Sequence, residues 1–201
     1  MGFKSQIALY KAFLVAGFSL AKLRSVEAQD GLCWEVTLKK GKVEILHISN
    51  GGFGGPDEVR SLLQNDDEIG RYVDELYAVP EVAQIIRDAM IDVLKAEKKY
   101  AKDGETRDFD AEIEAAKDAP LKRADDTTAM VIGIMTDAKQ TIDQLKRAAK
   151  RKICWLEKCE AGDSDTYVYI SAPLNAETRA HVHQKYGETL DVILNDLIEG
   201  L

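Results

Sequence analysis

Near the start of the chain Phe3, Ile7, Tyr10 and Leu14 recur at helical spacing, whereas residues 18–26 read as extended chain, so this first segment is open between a short helix and a long strand. The run Cys33-Trp34-Glu35-Val36-Thr37-Leu38 is rich in strand formers, Lys39-Lys40-Gly41-Lys42 turns the chain, and residues 43–49 return, which predicts a β-hairpin. In the returning arm Val43, Ile45 and His47 alternate with Glu44, Leu46 and Ile48. Both faces are therefore mostly apolar and each needs cover, for which helices are the obvious source.

The loop Asn50-Gly51-Gly52-Phe53-Gly54-Gly55 ends that strand. Pro56 suits a first helical position, and Asp57 and Glu58 complement a positive helix end, so a helix with Val59, Leu62 and Leu63 as its apolar stripe is expected directly after the loop. A second helix is predicted over residues 66–78, with Ile69, Tyr72, Val73, Leu76 and Tyr77 on one face. Pro80 opens a third, in which Val82, Ile85, Ile86, Met90, Val93 and Leu94 keep the period as far as Tyr100.

Apolar content falls over residues 101–126, where Gly104 and Pro120 interrupt a largely acidic stretch; an exposed, mobile connection, helical or irregular, is expected there. A long helix follows, with Asp126, Thr127 and Thr128 as cap candidates and Val131, Ile134, Met135, Ile142 and Leu145 as its stripe, and it ends in a basic cluster. Residues 153–156 and 166–171 predict a second hairpin. Pro173 and Asn175 introduce a helix that runs to Tyr186 and stops at Gly187, and Leu190, Val192, Ile193 and Leu197 define a last helix.

Strands and helices thus alternate in blocks without βαβ units, which predicts an α+β fold: two β-hairpins, in one antiparallel sheet or two, packed with a mainly helical middle and C-terminal helices. Residues 1–55 form a β-rich segment, 56–151 a helical region, and 152–201 a hairpin with helices, arranged as one compact domain or two small lobes.

The chain carries 35 acidic and 27 basic side chains, a formal charge of -8, which argues against a surface built throughout to grip phosphate backbone and leaves local basic patches open. Cys33, Cys154 and Cys159 are an odd number without a C-x-x-C pair; neither a disulfide framework nor a paired-ligand zinc site is indicated, and a reducing cytoplasm is the expected location. Residues 12–21 are the most apolar run. Lys11, Lys22, Arg24 and Glu27 crowd it, and it falls far short of the roughly twenty residues that span a bilayer, so neither a signal peptide nor a membrane span is expected.

The glycine-rich loop lacks the Lys-Ser or Lys-Thr pair of a phosphate loop, and Asp57 and Glu58 stand where an anion would dock; a tight structural turn is the better reading, with Phe53 lifted out as a partner anchor. Lys146, Arg147, Lys150, Arg151 and Lys152, followed by Trp155 and by Tyr167 and Tyr169, combine charge with aromatic surface as single-strand binding requires, although cations also belong at a helix C-terminus. The same patch suits an acidic protein surface. Asp103, Glu105, Asp108, Asp110, Glu112 and Glu114 are candidates for imitating phosphates on a basic partner, with Lys102, Arg107 and Lys117 diluting the field. His181 and His183 would lie about 200° apart on a helix, His47 has no acidic neighbour of ligand spacing, and Cys159 has no identifiable companion histidine, so no metal, cofactor or catalytic group is assigned.

Residues 32–38, a glycine turn, and then Ile48-Ser49-Asn50-Gly51-Gly52-Phe53-Gly54-Gly55 resemble small accessory proteins of bacteriophages and plasmids, in which a strand ending in Ser-Asn precedes a Gly-x-Gly-Gly loop. The basic helix end, the second hairpin, Lys185-Tyr186-Gly187 and Ile193-Leu194-Asn195 extend the resemblance to about half of the chain. Phe53 departs from the polar or basic residue expected within the loop. The resemblance implies no shared enzymatic activity and no catalytic residues. It implies a cytoplasmic, non-enzymatic protein that disables a host defence complex, such as a CRISPR effector, by protein binding; the alternative is a nucleic-acid-binding accessory factor that uses the basic helix end.

Overall fold

In a computed structural model the described residues are 1–28, 31–52, 57–100, 107–159 and 162–201. In chain order they form α1 (Phe3–Val15), β1 (Phe18–Ala28), β2 (Gly31–Lys40), β3 (Val43–Asn50), β4 (Glu58–Ser61), α2 (Asp66–Tyr77), α3 (Pro80–Tyr100), α4 (Phe109–Ala116), α5 (Asp125–Ala149), β5 (Ile153–Glu157), β6 (Val168–Ile170), α6 (Ala176–Tyr186), β7 (Leu190–Ile193) and α7 (Leu194–Leu197). The fold is α+β, with about half of the residues helical. The opening segment is both things its pattern allowed, a helix and then a strand. The two hairpins lie in separate antiparallel sheets, ordered β1-β2-β3-β4 and β6-β5-β7, within two compact units.

Unit 2 spans residues 13–133 and holds the four-strand sheet. The β2–β3 pairing sets Val36 opposite Ile48 and Leu38 opposite Leu46, and all four are buried. Thr37, on the opposite face of β2, is 1% exposed, and in β3 Ile45 is buried as well as Leu46 and Ile48, so the returning arm is covered on both sides as its alternation required. Gly41 makes the connecting turn with φ 57, a conformation that favours glycine. Lys40 fastens this end of the sheet: its Nζ donates to the Ala16 carbonyl (2.6 Å), pairs with Glu75 (3.0 Å) and sits over the Phe18 ring. Asn65 caps α2 by accepting from the Asp67 and Glu68 N–H groups.

The helix expected directly after the glycine loop is instead β4. Residues 58–61 pair antiparallel with β3, with Val59 opposite Ile48. The signals that suggested a helix start also suit an edge strand, where charged side chains discourage further pairing. Asp126, Thr127 and Thr128 do not cap α5 but lie within its first turn, and Thr128 Oγ1 donates to the Ala124 carbonyl (2.9 Å) and meets the Tyr77 hydroxyl (2.8 Å).

Unit 1 joins residues 1–12 to 134–201 around the three-strand sheet. Ile153, Cys154, Trp155 and Leu156 of its central strand are each at most 1% exposed. On one face Ile153 and Trp155 pack with Val182 of α6 and with Leu190 and Ile193. Those last two belong to β7, which corrects the expectation of a helix: Leu190, Val192 and Ile193 pair with Glu157, Leu156 and Trp155, and helical geometry begins at Leu194. Asn175 and Thr178 form a reciprocal capping box on α6.

Two polar ties hold this unit. Asn195 is buried; its Oδ1 accepts from the Cys154 N–H (2.8 Å) and its Nδ2 donates to the Lys152 carbonyl (3.0 Å), satisfying groups the sheet leaves open. Asp163 caps α1 from 159 residues away, accepting from the N–H groups of Lys4 (2.9 Å) and Ser5 (3.1 Å), and a Cβ on Gly2 would run into its carboxylate. Among the described residues no helix is long and apolar enough to cross a membrane.

Asn195→Ala leaves a buried donor and acceptor unpaired and should cost about 2–3 kcal/mol in urea denaturation. Burial on its own would raise the Asp163 carboxyl, but hydrogen bonds from Ser5 and Lys4, with the Lys4 charge, bring it below its ordinary value. Its contribution is therefore complete above the ordinary carboxylate range and is lost as pH falls through the lowered folded-state value. Asp163→Asn should lower the thermal midpoint at neutral pH and flatten this acid-side dependence, read by circular dichroism between about pH 7 and pH 3.

Candidate functional site

The acidic candidates divide three ways. Asp103 and Glu105 lie outside the described residues. Asp108 is the N-cap of α4, its Oδ1 accepting from the Ala111 N–H (3.0 Å). Each of the remaining three is matched by a cation: Lys98 donates to both oxygens of Asp110 (2.6 and 2.7 Å), Arg107 holds Glu112 through Nε and Nη2 while its Nη1 reaches Glu97 (2.7 Å), and Lys117 pairs with Glu114. The hydrogen bonds from Arg107 hold the Glu112 carboxyl below its ordinary value, and those to Glu112 and Glu97 raise the guanidinium. Of the helical or irregular connection expected here, residues 109–116 take the helical form; Phe109 and Ala116 are buried where exposure was expected, and the charges fasten α4 to α3. A row of paired carboxylates offers a basic groove little of the field that phosphate imitation needs.

Another surface of α3 stands out. Val82, Ala83 and Ile86 are buried, and the same stripe continues along the helix at Met90, Val93 and Tyr100, which are 40%, 58% and 78% exposed. Ile86, Met90, Val93 and Tyr100 follow the spacing i, i+4, i+7, i+14, so all four share one side of the helix. The periodicity that marked this side as core was sound; what sequence alone does not tell is that the core ends near Ile86 while the stripe runs on. Glu97 falls on the same side between Val93 and Tyr100 and is held by Arg107 (2.7 Å), so the apolar stripe runs to Val93 and meets an ion pair before Tyr100.

The basic candidates stay together at the end of α5. Lys146 Nζ donates to the Leu201 carbonyl oxygen (2.6 Å), and Lys152 Nζ lies 3.6 Å from the centroid of the Tyr169 ring. Arg147, Lys150 and Arg151 have no carboxylate within ion-pair distance among the described residues. Trp155 must be withdrawn as a stacking surface: it is 0% exposed and tilted against Tyr186 at 4.9 Å in the core. Tyr169, by contrast, is 49% exposed and lies 6.3 Å from Tyr167. Lys146, Lys150, Asn175, Arg179 and Glu199 line a groove of about 600 Å³ within unit 1.

Phe53 lies outside the described residues. The beginning of its loop is a built turn: the Asn50 side chain accepts from the Gly52 N–H (2.7 Å) and donates to Asp57 (2.6 Å), and Gly52 has φ 75. Because β4 rather than a helix follows, the strand, loop and helix N-terminus that a phosphate cradle requires are not assembled. Beside the turn, Arg24, Val26, Cys33, Glu35, Ser49 and Glu58 line a second groove of about 600 Å³. The Cys33 thiol donates to the Gly51 carbonyl, burial raises the Cys154 thiol, and Cys159 is exposed. His47 has an acidic neighbour after all, since cross-strand packing places its Nε2 3.7 Å from Glu35. His181 and His183 flank the buried Val182 on α6, both exposed. Among the described residues no group of three or more His, Cys, Asp or Glu side chains could hold a metal ion.

No protein-family model matches the chain, and neither a curated protein nor a solved structure matches it.

Arg107→Ala removes the pairs that tie α4 to α3. Hydrogen exchange should show amide protection lost in α4 while β2 and β3 stay protected, because these exposed pairs act locally.

Proposed function

We propose that this chain is a cytoplasmic, non-enzymatic accessory protein of a phage or plasmid that inhibits a host defence complex by protein binding, with a CRISPR effector as the target class. The observation that carries this reading is the α3 stripe at Met90, Val93 and Tyr100. Met90 and Val93, both exposed on one side of a well-formed helix, with the Glu97–Arg107 pair next along it and Tyr100 beyond, have the composition of a partner contact. The residues between Met90 and Tyr100 rise about 15 Å along the axis, enough for α3 to lie in a groove of the partner as an amphipathic helix does. The resemblance around Ser49, Asn50 and the glycine loop supplies the biological context. The paired carboxylates of α3 and α4 point to a mechanism that displaces a subunit contact rather than one that mimics nucleic acid.

The test is a plasmid-interference assay in cells carrying one of a panel of CRISPR effectors, with co-purification of the affected effector. Expression of the chain should restore transformation against at least one effector, and the chain should co-elute with it. Met90→Glu and Val93→Glu together should abolish both effects while the thermal midpoint stays within a few degrees, since both side chains already face solvent. Undiminished interference across the panel, or inhibition that survives the double variant, would overturn the reading.

A further inference from the structure

We propose that unit 1 carries a second binding site, for single-stranded nucleic acid, formed by the basic end of α5, the groove beside it and the tyrosines of the β6 edge. It is separate from the α3 stripe and does not depend on it.

Charge is the first argument. Asp108 caps α4 and the acidic residues within it are paired, whereas Arg147, Lys150, Arg151 and Lys152 have no carboxylate within ion-pair distance among the described residues and Lys146 reaches only the Leu201 oxygen. The net charge is also unevenly divided: unit 1 holds 11 basic and 11 acidic residues and unit 2 holds 16 and 24, so the whole of the -8 belongs to unit 2. A polyanion approaching α5 therefore meets a neutral unit with a concentrated positive end.

Shape is the second. The groove lined by Lys146, Lys150, Asn175 and Arg179 has a volume of about 600 Å³. Asn175 opens the 11-residue helix α6 here, which adds a positive helix end of the same sign. Two features temper the field: Glu199 also lines the groove, and Arg179 is held by Asp196 in a two-point contact (2.6 and 2.7 Å). Lys146 is tied to the Leu201 oxygen (2.6 Å), which leaves Lys150 as the groove's free cation among the described residues.

The aromatic surface is the third. Tyr169 is half-exposed, Tyr167 lies beside it, and Lys152 covers part of the Tyr169 ring. The Lys152 backbone is joined to the groove directly, because its carbonyl accepts from Asn195 and Asn195 is among the groove residues. Cations that track a backbone next to a ring on which a base can stack are the requirements for a single strand, and a paired base could not reach the ring.

The experiment is fluorescence anisotropy of the full chain with a labelled oligothymidylate of about twenty nucleotides across a salt series. Affinity should fall steeply with salt. Lys146→Gln, Arg147→Gln, Lys150→Gln and Arg151→Gln together should weaken binding at least about tenfold at low salt and reduce the slope of log K against log salt by about 3. Tyr169→Leu should weaken the oligonucleotide by roughly tenfold and leave inorganic polyphosphate unaffected, which separates stacking from charge. If the fourfold variant unfolds, Arg147→Gln with Arg151→Gln, both at exposed positions, carries the same test with about half the change in slope. Absence of binding at about 50 mM salt, or a slope unchanged in these variants, overturns the proposal. Equal competition by polyglutamate also overturns it and assigns the patch to an acidic protein surface.

Discussion

The inner strands of both sheets carry apolar side chains on their two faces, and no single covering layer can bury both faces. In β5 four successive side chains are enclosed, and in β2 Val36 and Leu38 are buried on one face and Thr37 on the other. Each buried methylene contributes roughly 0.8 kcal/mol, so leaving either face wet would forfeit much of what holds a domain of this size together. The demand for cover explains why about half of the residues are helical. Three of the four edge strands, β4, β6 and β7, have three or four residues each and supply just enough pairing to satisfy the backbone of the strand beside them, whereas β1 at the remaining edge runs to 11.

Against that demand α3 is a surplus. Val82, Ala83 and Ile86 meet the core, and the turns beyond keep Met90 and Val93 exposed on the same side until the Glu97–Arg107 pair. Charge is arranged with the opposite logic. The segment that looks most forbidding on paper, around Asp108 to Glu114, is the one whose charges are best matched, while the basic end of α5 keeps its cations free of carboxylates among the described residues. In this chain composition and available charge are different quantities, and the second depends on where a helix hairpin brings Lys98 and Arg107.

Long periodic segments were legible: the spans of α2, α3, α5 and α6, both hairpins, and the Asn175 cap can all be read from spacing and turn residues. Two four-residue strands were not. For β4, Asp57 and Glu58 mimic a first helical turn; for β7, Leu190, Val192 and Ile193 run straight into α7, and four residues are too few to separate a period of 2 from one of 3.6. Both strands exist because a partner outside their own segment has an open edge, β3 just across the glycine loop for β4 and the sequence-distant β5 for β7. The candidate surfaces were legible as residue types but not as states. Nothing near Trp155 in sequence announces that it is enclosed, nothing near Asp110 announces Lys98 twelve residues before it, and nothing near His47 announces Glu35.

The division of the chain between the two units has a consequence for the order of assembly. Unit 2 is one uninterrupted stretch, whereas unit 1 needs the first twelve residues and the last third of the chain together. A ribosome adding about 5–20 residues per second has delivered all of unit 2 about 1–5 seconds before β5 is complete. Throughout that interval the start of α1 waits for the carboxylate of Asp163, with Phe3, Ile7 and Tyr10 still lacking the sheet of their own unit. Synthesis from one end thus makes unit 1 close after unit 2, and α1, though translated before every other described element, is secured only once Asp163 has followed.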